Sequence, residues 1–251
     1  MALFYNNVIG GNKKMKIKKD ILTGFLRKVR MSGTLRIDEG IFRFEEDGLK
    51  IDANSKSNQA RMMGWLKKVA FKEYDESFGN IGVNDLENVS KVLERFGEEI
   101  TLTKEGNLLT IKGDSKKVDI ELVSVNFLET DADTPDLTFD ETFNITSGKL
   151  KDVFKDVAMN KDSEITMVTE EKKVKISNTG KYKFLNEIAA PTCKGGVKVK
   201  FGEQLIEAAQ NLDGELQLSV KTDYPIKILE KLETSVVTLI VAPRIDNNDE
   251  E

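Results

Sequence analysis

The chain has 251 residues, 39% of them apolar and 32% charged, and its formal net charge is −5. This length suits one large domain or two domains of about 125 residues. The acidic balance argues against general affinity for nucleic acid, so any DNA contact must come from local clusters of basic residues. No apolar run approaches a transmembrane helix, and the N-terminal residues lack the pattern of a secretory signal, which predicts no membrane partner.

Reactive residue types are scarce. The chain has no histidine and a single cysteine, Cys193, which excludes His-based catalysis, the usual zinc sites and an internal disulfide. The acidic segment from Glu129 to Asp136 lacks the glycine and the distal glutamate of a calcium loop, so we interpret it as a solvated linker. We expect no metal, no cofactor, no catalytic residue and no enzymatic activity. A carboxylate-based metal hydrolase is the alternative of a different class.

Hydrophobic periodicity predicts one order of elements twice: strand, helix, several strands, helix, three strands. In the first half, helices are predicted at 18–30 and 83–97, and strands at 15–17, 33–38, 48–53, onward to about 71, in a hairpin over 99–113, and at 116–123. In the second half, helices are predicted at 147–160 and 202–212, and strands at 142–146, 163–170, 172–178, 181–189, 195–201, within 214–232, and at 236–244.

A polar stretch separates the two halves. Residues Val125 to Leu137 contain three aspartates and a proline but little that could pack, which indicates an exposed connector. We therefore divide the chain into an N-terminal extension (1–14), a first domain (15–124), a connector (125–138), a second domain (139–245) and an acidic C-terminal tail (246–251).

Three of the four predicted helices have a basic outer face opposite their apolar face. The outward positions are Lys19, Thr23, Arg27 and Arg30 on the first helix, Lys91 and Arg95 on the second, and Lys149, Lys151 and Lys155 on the third. The fourth helix differs, because it turns Glu203, Gln204, Glu207 and Gln210 outward. A lysine-bearing face is ordinary for an amphipathic helix, so its recurrence at equivalent places carries the functional information.

Four segments are distinctive in combination. They are LIVAPRI (239–245) before the acidic tail, the stretch 81–113, EEDGLKI (45–51), and the stretch 134–157. Together, in this order, they resemble the PCNA-type DNA sliding clamps of archaea and eukaryotes. The resemblance covers nearly the whole chain after about Met15.

The resemblance implies an α+β fold of duplicated clamp domains, with helices lining the inner face of curved antiparallel sheets. Three copies are expected to close head to tail around double-stranded DNA, held without sequence preference by the basic helix faces. Expected partners are a DNA polymerase, a clamp loader and other enzymes with clamp-binding peptides. The expected location is the cytoplasm for an archaeal or mobile-element source and the nucleus for a eukaryotic one. The alternative is a divergent clamp homologue that regulates another clamp.

The resemblance also implies a pocket for partner peptides. By residue match, the candidates are Phe139, Pro225, Ile240, Ala242 and Pro243. The sequence departs from the family pattern beside this pocket, where Asn54, Asn58 and Gln59 replace the usual apolar and basic groups. In the connector, the segment ETDADTP (129–135) stands where family members commonly have apolar anchors.

The family geometry places the subunit interface between two edge strands, 116–123 and 181–189. The interface candidates are Lys116, Val118, Ile120 and Leu122 on the first strand, and Tyr182 and Phe184 on the second. Asp119 or Glu121 is expected to meet a lysine across this seam.

Overall fold

The computed structural model describes residues 14–128, 136–160 and 164–245. The first half contains helices α1 (Lys19–Val29) and α2 (Leu86–Leu93). Its strands are β1 (Lys14–Lys18), β2 (Gly40–Glu45), β3 (Gly48–Asn54), β4 (Ala60–Lys67), β5 (Phe71–Glu73), β6 (Asn80–Val83), β7 (Glu99–Glu105), β8 (Leu108–Gly113) and β9 (Lys116–Glu121).

The second half repeats this order with one strand fewer between its helices. Its helices are α3 (Ser147–Val157) and α4 (Gln204–Ala209). Its strands are β10 (Glu141–Thr146), β11 (Ile165–Glu170), β12 (Lys173–Asn178), β13 (Leu185–Ala189), β14 (Lys198–Phe201), β15 (Glu215–Val220), β16 (Ile226–Lys231) and β17 (Ser235–Val241). The predicted duplication is thereby confirmed as an order of elements.

Three antiparallel sheets hold the chain together. Their strand orders are β5-β1-β7-β8-β9, β10-β15-β16-β17-β4-β3-β2-β6 and β13-β12-β11-β14. The eight-stranded sheet joins the two halves, because β17 of the second half pairs with β4 of the first, from Ser235 opposite Leu66 to Val241 opposite Ala60. Strands β9 and β13 lie at free edges of the other two sheets.

The helices cover one face of this central junction. Helix α1 contacts both β4 and β17, and α4 also contacts β17. The approach is close at Gly64 on β4, where a Cβ atom would lie 2.9 Å from the ring of Phe25 and 3.0 Å from Val29. Further contacts link α1 to α2 and α3 to α4, and α4 also contacts the turn at Gly33–Leu35 after α1, which joins the two helix pairs. None of the described helices is long and apolar enough to cross a membrane.

Two local predictions are wrong. Residues 33–38, predicted as a strand, instead begin with a 3₁₀ turn from Gly33 to Leu35, and the strand starts later, at Gly40. Gly33 has a φ of +61°, which favours a turn over a strand. The strand predicted from Lys181 starts only at Leu185, because the carbonyl of Tyr182 accepts hydrogen bonds from the side chains of Asn160 and Asn178.

The connector also differs from its prediction in the part that the structure describes. Residues Val125 to Phe127 form a 3₁₀ turn, and the following Leu128 is buried, with 8% of its surface exposed. The connector, predicted to be exposed, therefore contains a buried apolar residue just before the acidic segment. Residues 129–135 lie outside the described residues, as do 1–13 and 246–251, so the acidic segment, the extension and the tail receive no structural test.

Candidate nucleic-acid interface

Most of the predicted basic residues of α1 reach the surface of the helix layer. The side chain of Arg27 is 54% exposed and lies 3.6 Å from Glu94, while Arg30 is 26% exposed and lies 3.9 Å from Glu87. Lys19 pairs with Asp20 at 2.8 Å. Thr23 does not belong to this face: it is 4% exposed, so that prediction is wrong. The buried face of α1 is therefore wider than its helical periodicity predicted.

Glu87 on α2 is the centre of a charged cluster. Its carboxylate lies 2.6 Å from Lys91, 3.4 Å from Arg36 and 3.9 Å from Arg30. The hydrogen bond from Lys91, with the charges of Lys91, Arg30 and Arg36, lowers the pKa of Glu87 below its usual range. This carboxylate is therefore ionised at neutral pH and offsets part of the positive charge of the helix layer.

The predicted basic residues on α3 are all accessible to some degree. Lys149 is exposed, Lys155 is 77% exposed and lies 3.1 Å from Asp152, and Lys151 is 33% exposed and lies 3.5 Å from Asp213. Arg95, just beyond α2, is exposed as well. The face thus contains basic groups from three helices, several of them within reach of neighbouring carboxylates.

Two polar side chains of the α4 region that were predicted to face outward instead contact the first half of the chain. Glu207 accepts hydrogen bonds from the backbone N–H of Thr34 at 2.9 Å and from its hydroxyl at 2.8 Å. Gln210 donates to the hydroxyl of Ser32. These contacts fasten α4 to the 3₁₀ turn after α1. Glu207 therefore joins the two halves, whereas Glu203, just before α4, is exposed.

The sequence reasoning missed a buried ion pair between the halves. Lys28 on α1 donates to both carboxylate oxygens of Glu230 on β16, at 2.8 and 2.9 Å, and lies 3.1 Å from Asp213. The side chain of Glu230 is 0% exposed and that of Lys28 8%. The sequence signal for this ion pair was Glu230 itself, because it is a glutamate at an apolar position of an alternating strand.

The candidate pocket residues divide into two places. Phe139 packs edge-on against Tyr224, with ring centroids 5.9 Å apart, and the amine of Lys227 lies 5.7 Å from the Phe139 ring. Lys227 is directly opposite Ile240 in the sheet, and Ile240 is 8% exposed. Pro225, next to Tyr224 in the chain, is partly exposed.

Ala242 and Pro243 instead line a groove of 240 Å³ together with Gln59, Gln204 and Arg244. The backbone N–H of Ala242 donates to the carbonyl of Gln59, which fixes the chain after β17.

Two of the three positions that depart from the family pattern line a second, polar cavity. Asn54 and Asn58 line a space of 130 Å³ together with Asp38 and the connector residue Leu128. Lys56 also lines it and lies 2.6 Å from Asp38. The hydrogen bond from Lys56 lowers the pKa of Asp38, so the cavity contains an ionised carboxylate at neutral pH.

The candidate interface residues lie on or beside the two free strand edges. On β9, Lys116 is exposed while Val118 and Ile120 are partly buried against the core; Leu122, just after the strand, is 8% exposed. On the other edge, Tyr182 is 49% exposed and Phe184 is partly buried, both before the start of β13. Leu185, an apolar edge residue that the sequence reasoning did not single out, is 63% exposed.

Similarity to known proteins is extensive but remote. No family model matches the chain. The chain is 25% identical over 242 residues to the DNA polymerase sliding clamp of Methanococcus vannielii, covering 88% of this chain and 96% of that protein. It is 26% identical over 246 residues to the clamp of Methanococcus maripaludis, with the same coverage.

Solved structures show the same fold at lower identity. A. fulgidus PCNA bound to the C-terminal region of FEN-1 superposes with a TM-score of 0.84 and 18% identity, over 94% of this chain and 99% of that one. The chain is thus similar to PCNA-type sliding clamps in sequence over most of its length and in fold. The PCNA2-PCNA3 complex of Sulfolobus tokodaii gives a TM-score of 0.76 and 19% identity, over 92% of this chain and 99% of that one. The expected α+β clamp fold is confirmed.

Proposed function

We propose that this PCNA-like chain is a non-enzymatic DNA sliding clamp, which encircles duplex DNA as a ring of three identical subunits and tethers a DNA polymerase. The relatives named as DNA polymerase sliding clamps support the function. The observation that supports the ring is the pairing of strands between the two halves of one chain. Within one copy, the last strand of the second half, β17, pairs with β4 of the first half. The last strand of the first half, β9, lies at a free sheet edge, and so does β13 of the second half.

The sheet registers allow the two halves to be matched. In the first half, Lys18 precedes α1 and lies opposite Glu99; in the second, Thr146 precedes α3 and lies opposite Glu215. Following the hairpins from these positions, β9 corresponds to β17. The two-residue turns after Glu45 and Glu170 likewise match β3 to β12, and hence β4 to β13.

The internal pairing of β17 with β4 is therefore a template for pairing β9 of one copy with β13 and the residues before it in the next. In the template, Val241 lies opposite Ala60 and Ile240 opposite Arg61. The corresponding positions put Ile120 opposite Tyr182 and Asp119 opposite Lys183 of the neighbour. This register joins apolar to apolar and acid to base, as the interface prediction requires. It also covers two exposed sheet edges.

Unlike edges that pair head to tail generate a closed ring when the rotation per subunit permits. With two similar domains per chain, three copies give six domains. The helix layer then faces the hole, where its arginines and lysines contact phosphates without reading sequence. The acids beside them keep these contacts weak. Retention on DNA comes from topology, and loading requires a separate clamp loader.

Two measurements test this function. Sedimentation equilibrium from nanomolar to micromolar protein should show a trimer, and a primer-extension assay with an archaeal clamp-dependent polymerase and its loader should show longer products when the protein is added. A chain that remains a monomer at every concentration, or a trimer that leaves product length unchanged, contradicts the proposal.

A second candidate is a subunit of a mixed clamp or a regulator of another clamp. The Sulfolobus tokodaii PCNA2-PCNA3 complex, which contains two different PCNA chains in a related fold, favours it. This candidate predicts no self-assembly, but association with a second clamp chain from the same source.

A further inference from the structure

A row of four side chains crosses the face of the central sheet that is turned away from α1. Strand register places Lys227 on β16, Ile240 on β17, Arg61 on β4 and Asn54 on β3 next to one another in this order. Side chains alternate between the two faces of a strand, and Glu230 of β16 contacts α1, so Lys227 lies on the other face. Ile240 is therefore flanked by a cation on each side.

The cation on the first-half side of Ile240 is neutralised within the chain. The guanidinium of Arg61 donates to the two carboxylate oxygens of Asp52, at 3.0 and 2.6 Å. Its side chain is 11% exposed. A bidentate pair of this kind satisfies the charge of an arginine well. Arg61 therefore needs no further counter-charge when a ligand covers this face.

The cation on the second-half side has an aromatic partner instead of an acidic one. The amine of Lys227 lies 5.7 Å from the centre of the Phe139 ring, and the amine of Lys221 lies 5.3 Å from the centre of the Tyr224 ring. The two rings pack against each other edge-on. Among the residues that the structure describes, no carboxylate forms a salt bridge with either amine. An aromatic ring attracts an ammonium group but leaves its positive charge uncompensated.

This uncompensated charge affects what can bind beside it. Lys227 is already partly buried, and an apolar anchor that docks on Phe139 and Ile240 removes more water from its ammonium group. Burying a charge is costly unless an opposite charge accompanies it. A ligand with a carboxylate next to its anchor offsets this cost, whereas a neutral or basic ligand does not.

We propose that Lys227 makes this surface selective for partner peptides in which an acidic residue stands beside the apolar anchor, with Lys221 as a second contact for the same peptide. The inference rests on the proposed function as a clamp that docks other proteins, and it names the chemistry of the segment that docks. Because Lys227 remains partly exposed, the selectivity is expected to weaken as salt rises.

Matched peptides test this selectivity. The probes are peptides based on the C-terminal region of A. fulgidus FEN-1, with one glutamate or one glutamine placed in turn at each position within about three residues of the apolar anchor. At one position or more, the parent protein should bind the glutamate peptide roughly tenfold more tightly than the glutamine peptide in low salt, because a charge-assisted hydrogen bond with Lys227 is gained. Isothermal titration calorimetry measures both affinities.

Two substitutions of Lys227 separate recognition of charge from packing. Lys227→Met should abolish the preference for glutamate and leave the affinity for the glutamine peptide equal or higher, since no ammonium group is then desolvated. Lys227→Glu should favour a lysine peptide at the same position. The control is Lys231→Glu, at the exposed end of the same strand, which makes the same change in net charge and should keep the preference of the parent. Thermal melts establish that each variant is folded.

The outcomes distinguish the selectivity from the proposed function. If the parent binds both peptides of every pair equally, or the preference survives Lys227→Met, the role of Lys227 is wrong and the docking surface stands. If no peptide binds the parent, the docking surface fails and the selectivity fails with it, while sedimentation and primer extension still test the clamp. A DNA duplex that competes with the glutamate peptide would assign the lysine to nucleic acid and overturn the proposal.

Discussion

Lys28 and Glu230 form a buried ion pair between residues that are 202 positions apart in the chain. The carboxylate also accepts the backbone N–H of Asp213, so its oxygens are well satisfied. Taking two charges out of water is costly, so the net gain in stability from such a pair is small. Removing either partner alone is strongly destabilising, because the other charge is then buried without a partner. The pair thereby fixes α1 against the second half of the chain.

Replacing Lys28 by methionine should lower the free energy of unfolding by about 3–5 kcal/mol, because it leaves Glu230 buried without a counter-charge. The double variant Lys28→Met/Glu230→Met should recover much of this stability. Urea denaturation followed by fluorescence measures both. Lys151→Met, which removes only a partly exposed ion pair with Asp213, is the control and should have little effect. Equal stability of Lys28→Met and the parent would contradict the structural role.

Glu87→Gln should strengthen DNA binding by the helix layer, because it removes the carboxylate that partly neutralises Arg30, Arg36 and Lys91. Reversal of Arg27, Arg30 and Lys91 to glutamate should weaken it. Fluorescence anisotropy with a duplex at several salt concentrations measures affinity. The slope of log affinity against log salt should become shallower by about 0.9 for each phosphate that the variant no longer neutralises.

The control for both changes is Lys172→Glu, in the turn between β11 and β12. Unchanged DNA affinity and processivity after the triple reversal would show that the helix layer is not the DNA-binding face.

Glu207→Ala should lower stability by about 0.5–1.5 kcal/mol, because it removes the acceptor for the N–H and hydroxyl of Thr34. Glu203→Ala, at the exposed position just before α4, should leave stability unchanged. Glu203→Lys should increase DNA affinity without a cost in stability. Thermal unfolding and anisotropy distinguish the two positions, and equal melting temperatures for the two alanine variants would contradict the assigned hydrogen bonds.

Paired cysteines can measure the proposed register of the seam. Ile120→Cys combined with Tyr182→Cys in one chain should yield disulfide-linked dimers and trimers on oxidation. The register-shifted pair Ile120→Cys with Phe184→Cys should link poorly, because disulfides form only over short Cβ distances. Non-reducing gels measure the yield, and equal yields from the two pairs would reject the register.

The native thiol does not interfere with this measurement. Cys193 is 3% exposed, and burial raises its pKa to about 11, so it remains protonated and inaccessible near neutral pH.

Phe139→Ala should reduce the affinity for a peptide from the C-terminal region of FEN-1, the ligand in the related A. fulgidus complex. The ring packs against Tyr224, lies 5.7 Å from the amine of Lys227 and is partly exposed, so it can contact an apolar anchor. Ile240→Asp should also weaken binding, because it replaces an apolar side chain with a carboxylate that the docking of an apolar anchor would desolvate. Isothermal titration calorimetry measures the affinity, and Val69→Ala, at an exposed apolar residue on another surface, is the control. Binding unchanged by Phe139→Ala would place the docking site elsewhere.

Local sequence patterns were enough to predict the helices, most strands and the duplicated order, because these depend on periodicity within a few turns of chain. The same patterns identified Arg27 and Lys155 as surface residues, since a wheel separates a charged face from a strongly apolar one. The family resemblance added the clamp fold and the choice of β9 and β13 as interface strands.

Which polar residues belong to the core depends on the packing of distant parts of the chain. Lys28 is next to Arg27 on one helix, yet one is buried and the other exposed, because a glutamate far along the chain lies over the first. Thr23 is buried and Glu207 is bonded to Thr34 for the same kind of reason. Helical periodicity gives the direction of a side chain but not the surface that packs against it, and that surface comes from the pairing of β4 with β17.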